Sequence, residues 1–200
     1  MAGPLHPEHP EAGLIRKVFR HIDFEPDWEA DFLALWVEKR FDRRDFMLQA
    51  GEIERYFYVV AEGVQAIYVL NAQADKVVLG FSYAGDPSGG YESFLYQRPS
   101  EYFLEALTPS RMYAVSLSQY ESWFSWSPAF ERWGRLFHQD VLVGRMSREV
   151  ELLTRSSEER YIAFMRRCPP ELLQIPQKYL ASYLNMTPET FSRLRSRVKY

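Results

Sequence analysis

The chain has 200 residues, 46% of them apolar and 16% aromatic, with a formal net charge of −3, so it can bury a real core in one medium domain plus a small one, or in a single larger one. A single cysteine, Cys168, excludes an internal disulfide and any multi-cysteine zinc or iron–sulfur centre built from this chain alone, and suits a reducing compartment. No apolar run approaches the roughly 18 residues that span a bilayer, and the opening MAGPLHPEHPEAG has neither the basic nor the apolar region of an export signal, so the expectation is a cytoplasmic protein with no membrane partner.

Residues 1–10 hold three prolines and two histidines without periodicity and read as a frayed tail, not a metal site. Apolar residues then recur at helical spacing from Glu11 to about His21 (Leu14, Val18, Ile22) and from Pro26 to Lys39 (Phe32, Leu35, Trp36), the second segment opening with a proline and acids suited to a first turn. Between Arg40 and about Ser116 the texture changes. RYFYVVAEGVQAIYVLN, KVVLGFSYAGD and EYFLEALTPSRMYAVS are aromatic and β-branched runs broken by Glu-Gly, Ala-Gly-Asp, Pro-Ser-Gly-Gly and Thr-Pro-Ser, which predicts a sandwich, jelly roll or small barrel. Acids in this region, such as Glu52 and Glu54, read as solvated turn residues. No Ser-His-Asp order, zinc spacing or phosphate loop appears, so the chain is not expected to be an enzyme.

From Pro128 to Cys168 no proline interrupts a helical pattern. Leu136, Val143 and Val150 fall seven apart, with Met146 and Leu153 three beyond the last two, which is the a and d spacing of a dimer seam. Trp133, Phe137 and Val141 share a neighbouring face, so this helix needs two partners; the β domain and the same helix of a second subunit would supply them. TRSSEER then writes a Ser-x-x-Glu start for the next helix.

The net charge conceals a split. Residues 155–200 carry nine Lys/Arg against four acids, a net of +5, leaving −8 on residues 1–154, which is compatible with a basic, duplex-binding module on an acidic body. PQKYLASYLNMTPETFSRLRSRVKY meets the demands of a helix-turn-helix. Its first helix, Gln177 to Leu184, has the small Ala181 where a second helix crosses. Asn185 is the best non-glycine residue for a left-handed turn, and Leu180, Leu184, Met186, Phe191 and Leu194 can bind the two helices together. Thr187 is a good N-cap, Pro188 suits the first helical position, and the outward face carries Pro188, Glu189, Ser192, Arg193, Ser196 and Arg197. Arginine can fork onto guanine, glutamate can accept from cytosine, and Ser or Thr can reach phosphate, so Thr187, Pro188, Glu189, Thr190, Ser192, Arg193, Ser196 and Arg197 are the expected DNA-binding residues.

This order of parts, with ERYFYVVAEGVQAIY, PSEYFLEAL and LASYLNMTPETFSRLR, resembles the CRP/FNR family of bacterial transcription regulators, in wording closest to short members of Bacteroidetes type, over residues 15–200 or so. The resemblance implies an α+β chain with an N-terminal double-stranded β-helix (a jelly roll of the cyclic-nucleotide-binding kind), a long dimerisation helix and a C-terminal helix-turn-helix, divided near 1–127, 128–153 and 154–200. It implies a homodimer on a palindromic double-stranded operator, with Glu189 and Arg193 at base edges, RNA polymerase as a candidate partner, and an unidentified small-molecule effector if there is one.

The sequence departs from the cyclic-AMP-binding members at GGYESFLYQRPSEYFLEA. Glu92 can stand for the ribose-binding acid, but Ser100 lies where the phosphate-binding arginine belongs, and a buried cyclic phosphate without that cation is costly. Arg98, two residues earlier, could serve only across Pro99. Glu92, Ser93, Arg98 and Ser100 are thus the candidate effector pocket, cyclic AMP is disfavoured, and no cofactor or metal is assigned. The family's iron–sulfur cysteines are absent; His138 or His21 could ligate haem, though a lone histidine on a long helix is more often packed or solvated. Members with a longer tail add a β wing after the recognition helix, and a stop at Tyr200 implies fewer phosphate contacts and a weaker salt dependence. The competing expectation is a small-molecule or protein-interaction module whose DNA-binding helices are vestigial.

Overall fold

The computed structural model describes residues 5–198; Lys199, counted above in the basic segment, and Tyr200 lie outside the described residues. In chain order the elements are α1 (Ala12–Val18), α2 (Pro26–Ala34), β1 (Val37–Phe41), β2 (Phe46–Leu48), β3 (Tyr56–Glu62), β4 (Gln65–Leu70), β5 (Lys76–Ser82), β6 (Pro87–Ser88), α3 (Tyr91–Tyr96), β7 (Phe103–Ala106), β8 (Ser110–Ser116), α4 (Leu117–Trp126), α5 (Pro128–Thr154), α6 (Ser157–Met165), a 3-10 turn at Pro170–Gln174, α7 (Gln177–Tyr183) and α8 (Pro188–Arg197). They form two compact units, one of residues up to 67 with 81–136, the other of residues 68–80 with 137–200.

The strands form a jelly roll of two four-stranded sheets, ordered β1-β8-β3-β6 and β2-β7-β4-β5, of which residues 68–80 of the β4–β5 hairpin are grouped with the second unit. β8 pairs antiparallel with both β1 (Val37↔Ala114 to Phe41↔Ser110) and β3 (Tyr56↔Ser116 onward), and a register shift between Val60 and Glu62 leads into the Glu62-Gly63 turn. Only glycine fits there: Gly63 has φ +91, and a Cβ would lie 2.4 Å from the Pro109 carbonyl oxygen. The helix expected to run to Lys39 stops at Ala34, because Val37–Phe41 gains a full antiparallel ladder on β8. The β region also contains a helix the strand pattern did not announce, α3, whose six residues follow the Gly89-Gly90 turn.

α1, α2, α4 and the start of α5 close the roll with an aromatic core. Phe19 stacks on Trp133 at 4.3 Å and meets Phe32 and Trp123 edge-on at 5.0 and 5.3 Å, while Trp133 Nε1 donates to the Val18 carbonyl at 3.0 Å. Rings of this kind add about 0.5–1.5 kcal/mol per pair beyond area burial, which fixes the helices on the roll.

The start of the chain is not a frayed tail from residue 5 onward: Leu5 is buried, and Arg16 donates to the Pro7 carbonyl at 3.0 Å. Glu11 accepts from both terminal nitrogens of Arg111 and from the Tyr113 hydroxyl, each at 2.5 Å, tying this segment to β8. The guanidinium holds the Glu11 carboxyl down at about 2, against an ordinary value near 4.5. A carboxyl depressed by folding stabilises the native state above its unfolded value and loses that contribution as pH falls through the folded one. Urea midpoints of the wild type should therefore fall between about pH 4.5 and 2 by about 1 kcal/mol more than those of Glu11→Gln, after solvent screening. Parallel pH profiles would count against the linkage.

In the second unit, Ser156 caps α6 in a reciprocal capping box with Glu159, as TRSSEER predicts. Glu151 on α5 pairs with Arg167 at 2.7 Å and Arg155 at 3.2 Å. Tyr161 meets Phe191 edge-on at 5.4 Å, so α6 backs the helix pair α7 and α8.

Candidate nucleic-acid interface

Local chemistry writes the geometry of α7 and α8. Leu180, Ala181, Leu184, Phe191 and Leu194 are buried, and Asn185 has φ +50. The Asn185 N–H donates to the Ser182 carbonyl and the Met186 N–H to the Ala181 carbonyl, both at 3.0 Å, which ends α7 with paired carbonyls and a left-handed residue. Thr187 Oγ1 then accepts from the Thr190 N–H at 3.2 Å, and Pro188 occupies the first helical position. The Glu189 carboxyl, held below its usual range by its own N–H and the Thr187 hydroxyl, sits in the first turn.

Pro188, Glu189, Ser192, Arg193 and Ser196 line one open groove on α8. Thr187 is exposed beside it and Thr190 is half-buried. Among the described residues the Arg193 guanidinium has no protein partner, whereas Arg197 pairs at the surface with Glu158 and remains 64% exposed. The arginine nearest the helix start is thus presented, and the one a turn later is steadied by α6.

Arg160, counted above in the basic segment, is structural, and so is Arg148, which lies outside that segment. Arg160 is buried, and its guanidinium donates to the carbonyls of Leu184 (2.9 Å), Asn185 (3.1 Å) and Arg155 (2.5 Å) and to Ser157 Oγ (3.2 Å). It satisfies the carbonyls at the α7 turn and fixes that turn to α6. Arg148 on α5 lies 3.7 Å from the centre of the Tyr183 ring and donates to the Tyr183 carbonyl at 2.7 Å. Nothing in the residue type separates these from solvent-facing arginines; the three-residue spacing of Arg160 from Ser157 was the only local hint.

On α5, Leu136 is half-buried, while Val143, Met146, Val150 and Leu153 are 57–78% exposed along the predicted seam. Four large apolar side chains in a row at that exposure form a patch rarely left open to water.

The four candidate effector residues are engaged by the chain itself. Arg98 pairs with Glu92 at the surface, whereas Ser93 is buried, accepts from the Glu54 N–H and donates to the Arg98 carbonyl, and Ser100 accepts from the Tyr102 N–H. Glu54 is the larger surprise. Far from a solvated turn acid, it is 2% exposed, and its carboxylate accepts from the N–H groups of Arg55 (2.9 Å), Tyr56 (3.2 Å) and Gly90 (3.1 Å). Burial pushes its pKa up, and these donors oppose that shift. At Gly90 a Cβ would fall 2.2 Å from Leu48 Cδ2, so a larger residue there would make the Leu48 side chain turn aside. The turn into α3 is therefore filled by the chain's own carboxylate. Glu52 stays exposed, accepting from the Gln49 N–H. Among the described residues no group of three or more His, Cys, Asp or Glu is placed to hold a metal, and no helix is long and apolar enough to cross a membrane.

Comparison with known proteins matches residues 38–125 to the cyclic nucleotide-binding domain family. No curated protein matches the sequence. Among solved structures the chain is similar to FixK2 from Bradyrhizobium japonicum (20% identity, TM-score 0.72, 81% of this chain and 83% of that one). It is also similar to the c-di-GMP responsive global regulator CLP of Xanthomonas campestris (18%, 0.64, 93% and 90%) and to DNR from Pseudomonas aeruginosa (19%, 0.57, 95% and 87%). At these identities the likeness establishes the fold: a cyclic-nucleotide-binding-like jelly roll followed by a C-terminal helical unit, the architecture of these solved structures.

Proposed function

We propose that this chain is a sequence-specific, DNA-binding transcriptional regulator that works as a homodimer in the cytoplasm, its β domain answering to an effector other than cyclic AMP or to none. One observation carries the reading: α8 stands on a buried seam and a left-handed turn, with Arg193 presented between Glu189 and Ser196 on an open groove. A vestigial hairpin has no use for a capped helix with a partnerless arginine on its outer face. A helix of this kind enters the major groove N-terminal end first, where a guanidinium can fork onto guanine and a carboxylate can accept from cytosine. The buried Glu54 supports the effector part, because an anionic ligand at the α3 turn would meet a carboxylate already holding its N–H donor. The solved regulator CLP is c-di-GMP responsive, so an effector other than cyclic AMP is compatible with the fold. A second copy of the chain and RNA polymerase are the protein partners this activity calls for.

The test is binding to duplexes selected from a random-sequence pool. Arg193→Ala should lose about 1–3 kcal/mol on the selected duplex and relax its preference at one base pair. Equal loss on every duplex would make Arg193 a phosphate contact, and no binding by the wild type at low salt would end the reading.

A further inference from the structure

The tip of the β4–β5 hairpin belongs to the same compact unit as the helix-turn-helix. β5 is the end strand of its sheet, and its outer edge is taken by α7. Ser182 Oγ donates to the Lys76 carbonyl at 2.7 Å and accepts from the Val78 N–H at 3.0 Å, a side-chain mimic of strand pairing on an otherwise open edge. The hairpin is thereby registered on the helix that leads into the α7–α8 turn.

This docking creates a cleft of about 710 Å³ lined by Asn71, Asp75, Lys76, Lys178, Asn185 and Thr187. Its floor is Tyr179. Lys76 Nζ lies 5.5 Å from the centre of that ring, 3.3 Å from its hydroxyl and 4.5 Å from the Tyr68 ring, and Lys178 Nζ lies 5.5 Å from the same Tyr179 ring. Two ammonium groups are therefore held about one aromatic ring, a pre-ordered arrangement for long side chains that otherwise wander. The cleft and the α8 groove share Pro188, so the paired cations lie directly beside the face that carries Glu189 and Arg193.

We infer that this cleft is a second DNA contact, in which the hairpin lysine and Lys178 grip a phosphodiester of the strand bordering the groove that α8 enters. The inference rests on the DNA-binding reading and deepens it. The chemistry fits a phosphate better than a base edge, since ammonium groups are point charges with no planar fork to match against a base pair. Asp75, on the same rim, opposes the anion and sets how tight the grip becomes. The hairpin tip, part of the same compact unit, thus adds to the backbone contacts of the helix pair.

The experiment measures affinity of the full chain for a pool-selected duplex and for a scrambled one, across a salt series. Lys76→Gln should weaken both duplexes alike, by about 3- to 10-fold near physiological salt, and make the slope of log affinity against log salt shallower by about 0.9. Asp75→Asn should move affinity the other way, by about 2- to 3-fold, and it leaves the Ser182 tether intact. Unchanged salt slopes in both variants would overturn the inference, as would a Lys76→Gln loss confined to the selected duplex. Stabilisation by inorganic phosphate that depends on Lys76, with DNA affinity unaltered, would give the cleft to a small anion and overturn it too. If the wild type binds neither duplex, the DNA-binding reading itself has failed, which is a different result from a wild type that binds and variants that bind equally well.

Discussion

Arg160→Gln is expected to melt the helix-turn-helix while leaving the jelly roll folded. The wild-type guanidinium makes four hydrogen bonds, three of them to carbonyls of Arg155, Leu184 and Asn185. A glutamine can replace one. At about 1–3 kcal/mol for each buried group left without a partner, the loss should come to about 3 kcal/mol or more, a large part of what a small helical unit has in hand. Lysine should not rescue it, because a single ammonium cannot span carbonyls that the planar fork reaches from two sides. Hydrogen exchange separates the two units cleanly. Amides of residues 155–198 should lose protection in the variant, while indole emission, which arises from tryptophans at 28, 36, 123, 126 and 133, all in the first unit, should be unchanged. Binding to any duplex should drop with the lost protection. Retained slow exchange in α7 and α8 would show that Arg160 is an ornament on a seam that holds itself.

That result would also explain what could and could not be read in the sequence. The cap at Thr187, the proline at 188, the left-handed Asn185 and the seam from Leu180 to Leu194 all act within one or two helical turns, so residue type and spacing announce them. Arg160 was visible only as one of nine cations in a basic segment. Its burial depends on carbonyls 24 and 25 residues away, which no local pattern encodes. The same holds for Glu54, whose carboxylate meets a turn 36 residues on, and for Ser182, whose partner strand lies more than 100 residues earlier. Val37–Phe41 failed in the opposite direction. Its neighbours carry a helical period, but pairing with β8 outweighs that preference once the sheet forms. Among the candidate site residues, the exposure of the α8 face follows from the spacing within one short helix, whereas the surroundings of Glu92, Ser93, Arg98 and Ser100 depend on a buried Glu54 that no local pattern announces.

The double variant Val143→Glu/Met146→Glu should turn a dimer into a monomer and, with it, abolish tight operator binding. Both side chains are exposed, 62% and 57%, so each chain on its own should fold as stably as before. In a two-fold pair of α5 helices the same positions face their own copies, so two substitutions place four carboxylates in an apolar seam continued by Val150 and Leu153. Sedimentation should give about twice 23.6 kDa for the wild type and the single-chain mass for the variant. Joining two half-sites rigidly is worth about 10²- to 10⁴-fold over one, so affinity for a palindromic duplex should fall by at least ~100-fold while affinity for an isolated half-site stays put. That contrast isolates the seam from the recognition helix, since Arg193→Ala weakens both duplexes and leaves the mass alone. A wild type that sediments as one chain at micromolar concentration, or a variant still at twice the mass, would mean that the apolar row on α5 serves some other surface and that the two recognition helices are not held in register by it.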